Sequence, residues 1–374
     1  MAKAVYVGVG SKARKMKKAY IGIGGKARKV KKMYIGVGGK ARLCYSAELE
    51  KVGMAAALST TRYDMRAATV GKYALFAGGY ISKSSFGYSV SSSVDAYNTS
   101  LTKSTPTELS CKRCGHAAAS VGGYALFAGG ASSYNILGFY ENLVSAVDAY
   151  DASLTRSAAH IIGATVAIGG AAVGNYALFA GGTVYSQINE DNVTSDVLAY
   201  DPSLTFTTAP LLSVARANVK GASAGNYALF AGGRADGFCT TVDAYNASLT
   251  RTTATALSST KNNSAAATVG NHAIFVGNTA SADIYDASLT KTSAAILSTA
   301  RTGLAATTVG DYAIFSGGGV ADFCDASLTR SSIGTSMTGY DMGAATIGDY
   351  ALFAGGHSGE KSDTAYDSVE VYTA

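Results

Sequence analysis

Short apolar runs that end in Gly-Gly recur through most of the chain. The run Tyr73–Gly79 reads Tyr-Ala-Leu-Phe-Ala-Gly-Gly, and six further copies, two of them degenerate, follow at intervals of 38 to 52 residues. A run that is apolar on both faces is typical of a strand buried between other layers of a protein. The pattern therefore predicts seven equivalent buried strands. The further copies are Tyr124–Gly130, Tyr176–Gly182, Tyr227–Gly233, His272–Asn278, Tyr312–Gly318 and Tyr350–Gly356.

A second string, Val-Asp-Ala-Tyr in its best copies, follows each of these runs. A Ser-Leu-Thr triplet comes next in most copies, and a Leu-Ser segment with a basic residue opens the following copy. With a preceding strand like Ala67–Val70, each copy predicts four short strands, which at this repeat length is typical of a propeller blade. The second strings begin at Val94, Val147, Val197, Val242, Ala282, Ala321 and Val369.

The last copy ends at Ala374, directly after its third strand. The segment Leu49–Ser59 aligns with the fourth-strand segment Leu249–Ser258 of another copy. We therefore expect an N-terminal strand to pair with the C-terminal strand and to close a ring, because closure removes exposed sheet edges.

These strings resemble kelch repeats over residues 48–374, in the strand that ends in Gly-Gly, the Val-Asp-Ala-Tyr strand and the basic residue that opens the next blade. The resemblance implies an all-β fold, a seven-bladed kelch-like β-propeller of four-stranded blades, behind a small N-terminal β-repeat segment. The Trp that is usual on the fourth kelch strand is missing, since the chain contains no Trp. Scarce Pro and abundant Tyr and Gly agree with an all-β chain that has many tight turns.

The first 45 residues repeat with a period of 14. Tyr6–Gly10, Tyr20–Gly24 and Tyr34–Gly38 alternate Tyr, Val or Ile with Gly, which predicts strands. Residues 1–42 carry thirteen Lys and Arg and no Asp or Glu, whereas the rest of the chain is acidic by seven charges. Such asymmetry marks a separate segment with its own partner. So short a segment cannot bury a core alone.

Three hypotheses stand for this basic head, residues 1–45: a solvated tail, a nucleic-acid-binding arm, and a docking or oligomerisation module. The apolar alternation argues against the first, and no DNA-reading motif supports the second. The string resembles the N-terminal repeats of tail and baseplate proteins of phages and prophages from Gram-positive bacteria, which implies docking on a phage-like particle. The docking candidates are Tyr6, Tyr20, Tyr34, Arg14, Arg28 and Arg42.

The variable segments lie between the second and third strands of each copy, and they are long in copies one, two, three and seven. Insertions on one face of a repeat protein mark its binding surface. We expect a ligand there, on the side of blades seven, one, two and three and off the axis, with the basic residues between blades on the same rim. A structural role for the basic residues and local packing of the aromatics is the alternative. The candidates are Tyr80, Tyr88, Tyr134, Tyr140, Tyr185, Arg62, Arg113, Arg216, Arg301 and His357.

No catalytic motif is evident, and we expect no enzyme activity, no metal and no cofactor. Cys111 and Cys114, with His116 nearby, have neither the four ligands of a zinc site nor the spacing of a haem attachment motif. The Asp of Val-Asp-Ala-Tyr recurs from copy to copy, so we expect it to make a structural hydrogen bond. Five Cys form no disulfide framework and favour a reducing site of synthesis. Neither a signal peptide nor a membrane-inserting segment is expected.

Two functions follow from these resemblances. The first is a non-enzymatic protein of a phage or phage-like tail, made in the bacterial cytoplasm, whose head docks on tail or baseplate proteins and whose propeller binds a carbohydrate or protein receptor of the cell envelope. The alternative is an intracellular kelch-type interaction module whose basic head binds nucleic acid or an acidic protein. Oligomerisation through the head is compatible with the first.

Overall fold

The structure is a computed structural model of the chain. It describes residues 6–9, 12–15, 19–23, 26–30, 32–37, 40–46, 49–84, 87–135, 137, 139–160, 162–184, 192–261, 265–359 and 364–374. Every helix or strand found in these residues is a β-strand, and the strands form eight four-stranded antiparallel sheets and three two-stranded hairpins. The all-β prediction is confirmed, and the architecture is propeller-like. Within the same residues there is no helix that could cross a membrane.

Seven of the eight sheets, here called repeat sheets one to seven, each contain one copy of the sequence repeat. Sheet one consists of Arg66–Val70, Tyr73–Ala77, Val94–Asn98 and Lys103–Ser104, and sheet two of Ala117–Val121, Tyr124–Ala128, Val147–Asp151 and Arg156–Ala158. Sheet three consists of Gly169–Val173, Tyr176–Ala180, Val197–Tyr200 and Phe206–Ala209, and sheet four of Lys220–Ala224, Tyr227–Ala231, Val242–Asn246 and Arg251–Ala254. Sheet five consists of Ala265–Val269, His272–Val276, Ser281–Tyr285 and Lys291–Ala295, and sheet six of Ala305–Val309, Tyr312–Gly317, Val320–Asp325 and Arg330–Gly334.

Sheet seven takes its fourth strand from the other end of the chain. Its first three strands are Gly343–Ile347, Tyr350–Ala354 and Val369–Thr373, and Glu50–Met54 pairs antiparallel with the last of these. The first strand of each repeat sheet lies against the first strand of the next, and that of sheet seven lies against that of sheet one. The sheets therefore follow one another around a common set of first strands.

Hydroxyl side chains join these first strands, which share no backbone ladder with one another. Ser120 Oγ donates to the carbonyl of Thr69 at 2.7 Å. Because each such bond satisfies a main-chain acceptor in the neighbouring sheet, it fixes the position of one sheet against the next. The further bonds run from Ser223 to Ala172, from Thr268 to Ser223, from Thr308 to Thr268, from Thr346 to Thr308 and from Thr69 to Thr346.

The hydrophobic core lies between adjacent repeat sheets. One cluster joins Leu75 and Ala96 of sheet one to Phe127 and Tyr150 of sheet two, and equivalent clusters follow in the other sheets. The Tyr150 ring meets Phe127 edge-on at 5.9 Å, and its hydroxyl donates to the carbonyl of Thr107. A buried Tyr needs such a partner for its hydroxyl, which explains the Tyr of each Val-Asp-Ala-Tyr string.

The Gly-Gly pair ends the second strand because no side chain fits there. Gly79 has a φ of +96°, and a Cβ added to it would lie 2.4 Å from the carbonyl oxygen of Tyr63. The positive φ and the close approach both require glycine.

The Ser-Leu-Thr triplet forms the turn between the third and fourth strands. The Asp151 carboxylate accepts hydrogen bonds from the backbone N–H groups of Ser153 and Thr155 at 2.8 and 2.9 Å. Leu154 takes a left-handed φ of +65°. An Asx turn of this kind offsets the cost of that conformation.

The eighth four-stranded sheet, here called the linking sheet, joins the long loops of repeat sheets one and two. Its strands are Tyr80–Ser84, Gly87–Val90, Ala131–Tyr134 and Tyr140–Leu143, and Tyr88 opposite Tyr134 is the contact between the two loops. The repeat pattern did not predict this sheet.

The head forms one hairpin per 14-residue repeat, so the predicted strands are present. The hairpins pair Tyr6–Val9 with Lys12–Lys15, Tyr20–Ile23 with Lys26–Lys29, and Lys32–Val37 with Lys40–Ser46. The docking candidates Arg14, Arg28 and Arg42 lie opposite Val7, Ile21 and Ile35 in these hairpins. Tyr6, Tyr20 and Tyr34 lie opposite Lys15, Lys29 and Leu43.

Candidate binding site

A cavity of about 460 Å³, here called the tyrosine pocket, opens where the connections between repeat sheets meet the linking sheet. Tyr80, Tyr88, Tyr134 and Tyr140 form one wall, and Tyr63 extends it. Neighbouring ring centroids in this cluster lie 4.9 to 5.5 Å apart, mostly edge to face. Aromatic pairs in this geometry attract one another, so each ring helps to hold its neighbours in the wall.

Four of these tyrosines are among the residues expected to bind a ligand, although they come from two separate loops. The linking sheet brings them together. His357 lies in the same pocket, beside Asp341. Tyr185 lies outside the described residues.

The rest of the pocket is charged. The Asp64 carboxylate accepts from Arg66 Nη1 at 2.7 Å, and Arg66 Nε also donates to the carbonyl of His116 at 2.8 Å. Burial lowers and Asp64 raises the pKa of Arg66, with a net upward shift. The Asp341 carboxylate lies 3.0 Å from His357 Nε2. Both carboxylates of the pocket therefore have partners.

Lys220 and Asn218 reach the same pocket from repeat sheet four. Within the described part of the chain, the Lys220 ammonium makes no hydrogen bond and no ion pair. Burial lowers the pKa of Lys220, repulsion by Arg66 adds to this effect, and attraction by Asp64 and Asp341 partly opposes it. The hydroxyls of Tyr134 and Tyr140 likewise make no hydrogen bond to the described residues, and burial raises the pKa of both. The pocket thus presents several polar groups that the fold does not use.

Three residues at the mouth of the tyrosine pocket have a strained backbone conformation, and hydrogen bonds hold two of them in place. Asp64, Asn218 and Asp341 have φ values of +50°, +57° and +51°. The N–H of Asp64 donates to the carbonyl of Asp341 at 2.7 Å, and that of Asn218 donates to the carbonyl of Ala167 at 2.7 Å. Asp and Asn tolerate this conformation better than most residues, and strained positions of this kind cluster at ligand sites.

A second cavity, of about 530 Å³, adjoins the tyrosine pocket and shares Gly303, Asp341, His357 and Gly359 with it. Arg301 and Tyr340 contribute to its wall. A third cavity, of about 390 Å³, is lined by Ala, Gly, Ser and Thr residues from the first strands of all seven repeat sheets and is open to solvent. It offers no charged group.

The arginines require a correction. Arg62, Arg113 and Arg216 are 0% exposed, so a ligand on the rim cannot reach them. Each pairs with the Asp of its own repeat sheet, and the Arg216–Asp243 pair spans 2.9 Å. The structural alternative therefore describes them, because a buried guanidinium needs a carboxylate partner. The pairs are Arg62–Asp95, Arg113–Asp148, Arg216–Asp243, Lys261–Asp283 and Arg301–Asp322.

The four cysteines whose side chains the structure describes, Cys111, Cys114, Cys239 and Cys324, are free thiols. Cys114 is fully buried, burial raises its pKa to about 12, and its Sγ donates to the carbonyl of Ala131. A thiol in this state is a poor nucleophile and a poor metal ligand. No group of three or more His, Cys, Asp and Glu that could hold a metal ion occurs among the residues that the structure describes.

Sequence reasoning missed the charged half of the pocket. Arg66 and Lys220 begin the first strands of sheets one and four, where the other five sheets have Ala or Gly. An alignment of the seven repeats would have revealed these two residues, because they are the basic residues at a position that is otherwise Ala or Gly. The tyrosine pocket also reaches sheets four and six, through Lys220 and Leu304, and so extends beyond blades seven, one, two and three, where the sequence predicts a ligand.

A scan of the chain against protein-family models gives no match, and a search of curated proteins finds none.

Proposed function

We propose that this chain is a non-enzymatic binding protein, built as a closed seven-bladed kelch-like propeller over residues 48–374, and that its ligand occupies the tyrosine pocket. The observation that carries this proposal is the convergence of four tyrosines, Lys220 and Asn218 on one preformed cavity. A concave site with an aromatic wall and a few unused polar groups is the usual form of a ligand site.

The ring of first strands and the pairing of Glu50–Met54 with Val369–Thr373 support a closed propeller. The buried Arg–Asp pairs and the Gly-Gly turns recur from sheet to sheet, which agrees with blades of one kind. A closed ring would hold the connections at the mouth of the tyrosine pocket on a rigid scaffold. Recognition loops are commonly carried on such scaffolds.

We further propose that the ligand is a receptor of the bacterial cell envelope and that the basic head, residues 1–45, docks the protein on the tail or baseplate of a phage-like particle. The head presents three hairpins of one register and thirteen basic residues, which favours attachment to a repetitive acidic partner. Genes for tail or baseplate proteins beside the gene for this chain would support the particle; neighbours of another kind would count against it.

The binding function is tested with the full chain on a panel of cell-envelope glycans and on whole bacterial cells. We expect Tyr134→Phe to weaken binding by about fivefold to tenfold through loss of one hydroxyl, and Tyr134→Ala to weaken it further. Tyr176→Phe, outside the pocket, is the matched control. Equal binding by all four proteins, or no binding by any of them, would contradict the proposal.

The basic head also favours a second candidate, an intracellular kelch-type module that binds nucleic acid or an acidic protein. Contacts to nucleic-acid phosphates release counterions, so binding should fall by several orders of magnitude as salt rises. Docking through hairpins should depend much less on salt. A salt titration of the head's binding to duplex DNA and to particle proteins separates the two.

A further inference from the structure

The geometry points to an acidic saccharide as the ligand of the tyrosine pocket, with its carboxylate bound by the ammonium of Lys220. This inference rests on the proposed function of the pocket as a ligand site. It commits to the chemistry of the ligand, which the proposed function leaves open.

Lys220 is the charged side chain of the pocket that makes no hydrogen bond and no ion pair among the described residues. Asp64 is paired with Arg66 and Asp341 lies beside His357; both carboxylates attract Lys220 through space, but neither forms a salt bridge with it. By contrast, the basic residues that precede repeat sheets one, two, four, five and six each pair with an Asp. A part-buried ammonium that makes no hydrogen bond is costly, and a bound carboxylate would lower that cost.

Arg66 and Lys220 also repel one another across the mouth of the pocket. This repulsion is the second cause, after burial, of the lowered pKa of Lys220. An anion in direct contact with Lys220 would be attracted by both cations and repelled by Asp64 and Asp341, which also line the pocket. The pocket has no excess of positive charge, so a preference for an anion depends on that direct contact with the Lys220 ammonium.

The remaining groups suit the ring of a sugar. The tyrosine wall provides flat apolar faces against which a pyranose can stack. The hydroxyls of Tyr134 and Tyr140 and the side-chain amide of Asn218 make no hydrogen bonds to the described residues, so they are free to bind ring hydroxyl groups. A cavity of about 460 Å³ suits one or two sugar rings. These features favour an acidic sugar over a simple anion.

The test measures binding of the full chain to oligosaccharides of galacturonate, glucuronate and mannuronate and to the carboxyl-reduced form of each. The reduced forms keep the rings and linkages and lose only the charge. We expect at least one acidic oligosaccharide to bind roughly tenfold or more tightly than its reduced form, because a charge-assisted hydrogen bond is lost on reduction. Added salt should narrow this difference.

Three variants assign the preference to Lys220. Lys220→Met should abolish the difference in affinity between the acidic and the reduced forms, and Lys220→Arg should keep most of it. The control is Lys112→Met, which replaces an exposed lysine in the connection before sheet two and should keep the whole difference. Thermal unfolding serves as a second measurement: Lys220→Met should be folded, and the acidic ligand should raise the melting temperature of the wild type but not of this variant.

The outcomes separate this inference from the proposed function. Equal binding of acidic and reduced forms, with loss of both in Tyr134→Ala, would overturn the inference and leave the pocket a neutral-sugar site. Tighter binding of polyglutamate than of any acidic oligosaccharide would also overturn it and indicate an acidic peptide. If no glycan and no cell binds, the proposed function itself fails.

Discussion

His116 occupies a position that is apolar in the other repeat sheets where the structure describes it. It is fully buried, and neither ring nitrogen makes a hydrogen bond of normal geometry to the described residues. Burial lowers the pKa of His116 well below 6.5, Arg113 adds to this shift, and the Ala77 carbonyl opposes it. The imidazole is therefore neutral in the folded protein. The equivalent residues are Met65, Ile168, Val219, Leu304 and Met342.

We predict that His116→Met stabilises the protein in acid. The unfolded chain takes up a proton on His116 below about pH 6.5 and the folded chain does not, so wild-type stability falls as the pH decreases through that range. The variant lacks this loss and should gain up to about 1.4 kcal/mol per pH unit below pH 6.5 relative to the wild type. Urea denaturation at pH 5 and pH 7.5 measures the difference.

Met65→His is the converse control, since it places a histidine at the same position in sheet one and should create the same loss in acid. A stability difference between wild type and His116→Met that stays constant with pH would show that His116 is not buried neutral.

At the scale of the element, a carboxylate with several partners holds the third strand in six of the seven repeat sheets. Asp243 pairs with Arg216 and Arg251, and it accepts from the backbone N–H of Ser213. These ion pairs and this hydrogen bond agree with the structural role that the sequence predicts for this Asp. In sheet seven, where Gly339 stands in the position of the buried Arg, Glu370 pairs with Lys51 of the closing strand.

Sheet three has lost the whole charged group. The positions of Arg216, Asp243 and Arg251 are held there by Thr165, Leu198 and Phe206. The joint replacement is physically reasonable, because removing every member of a buried ionic group leaves no charge without a partner. Sheet three therefore shows that this fold accepts an uncharged version of the group.

We predict that the group can be exchanged as a unit but not in part. Asp243→Leu alone should lower the free energy of unfolding by about 3–5 kcal/mol, because it leaves Arg216 buried and unpaired. The triple variant Arg216→Thr, Asp243→Leu, Arg251→Phe should be close to the wild type or more stable by about 1–4 kcal/mol. Chemical denaturation of both variants provides the comparison. A triple variant less stable than the single one would refute the argument.

At the scale of the molecule, two devices tie the repeat sheets together. Hydroxyl side chains bridge six pairs of neighbouring first strands, and Glu50–Met54 completes sheet seven from the N-terminal side. Both connect residues far apart in the chain, so the stability of one sheet depends on the presence of the others. Sheet seven without its third strand would also leave Glu50–Met54 unpaired.

We predict that deletion of residues 367–374 unfolds the protein. The deletion removes the strand Val369–Thr373 and the buried Tyr372 and Val371. Circular dichroism and size-exclusion chromatography should show loss of the native fold. Deletion of residues 1–45, which leaves Glu50–Met54 intact, is the matched control and should remain folded. A soluble, cooperatively folding 1–366 fragment would contradict this reading of the closing strand.

The sequence alone was enough to predict the order and the approximate positions of the repeat strands. The turn residues and the apolar runs act locally, so the seven copies, the Gly-Gly ends and the hairpins of the head could be predicted without the fold. The linking sheet could not, because its central contact joins Tyr88 to Tyr134 in different repeats. The burial of Arg62 could not be predicted from the sequence either. A basic residue in a connection is expected at the surface unless an Asp partner is known to lie next to it.

What the sequence by itself determined is the all-β repeat and the identity of the loop tyrosines, because hydrophobic periodicity and turn chemistry depend on near neighbours. Only the tertiary structure decided that these tyrosines share a cavity with Lys220. The contact depends on how the first strands of sheets one and four lie relative to one another, and residues more than a hundred positions apart meet there. The arrangement of charges in the pocket, in which Lys220 makes no ion pair with the described residues, likewise depends on the tertiary structure.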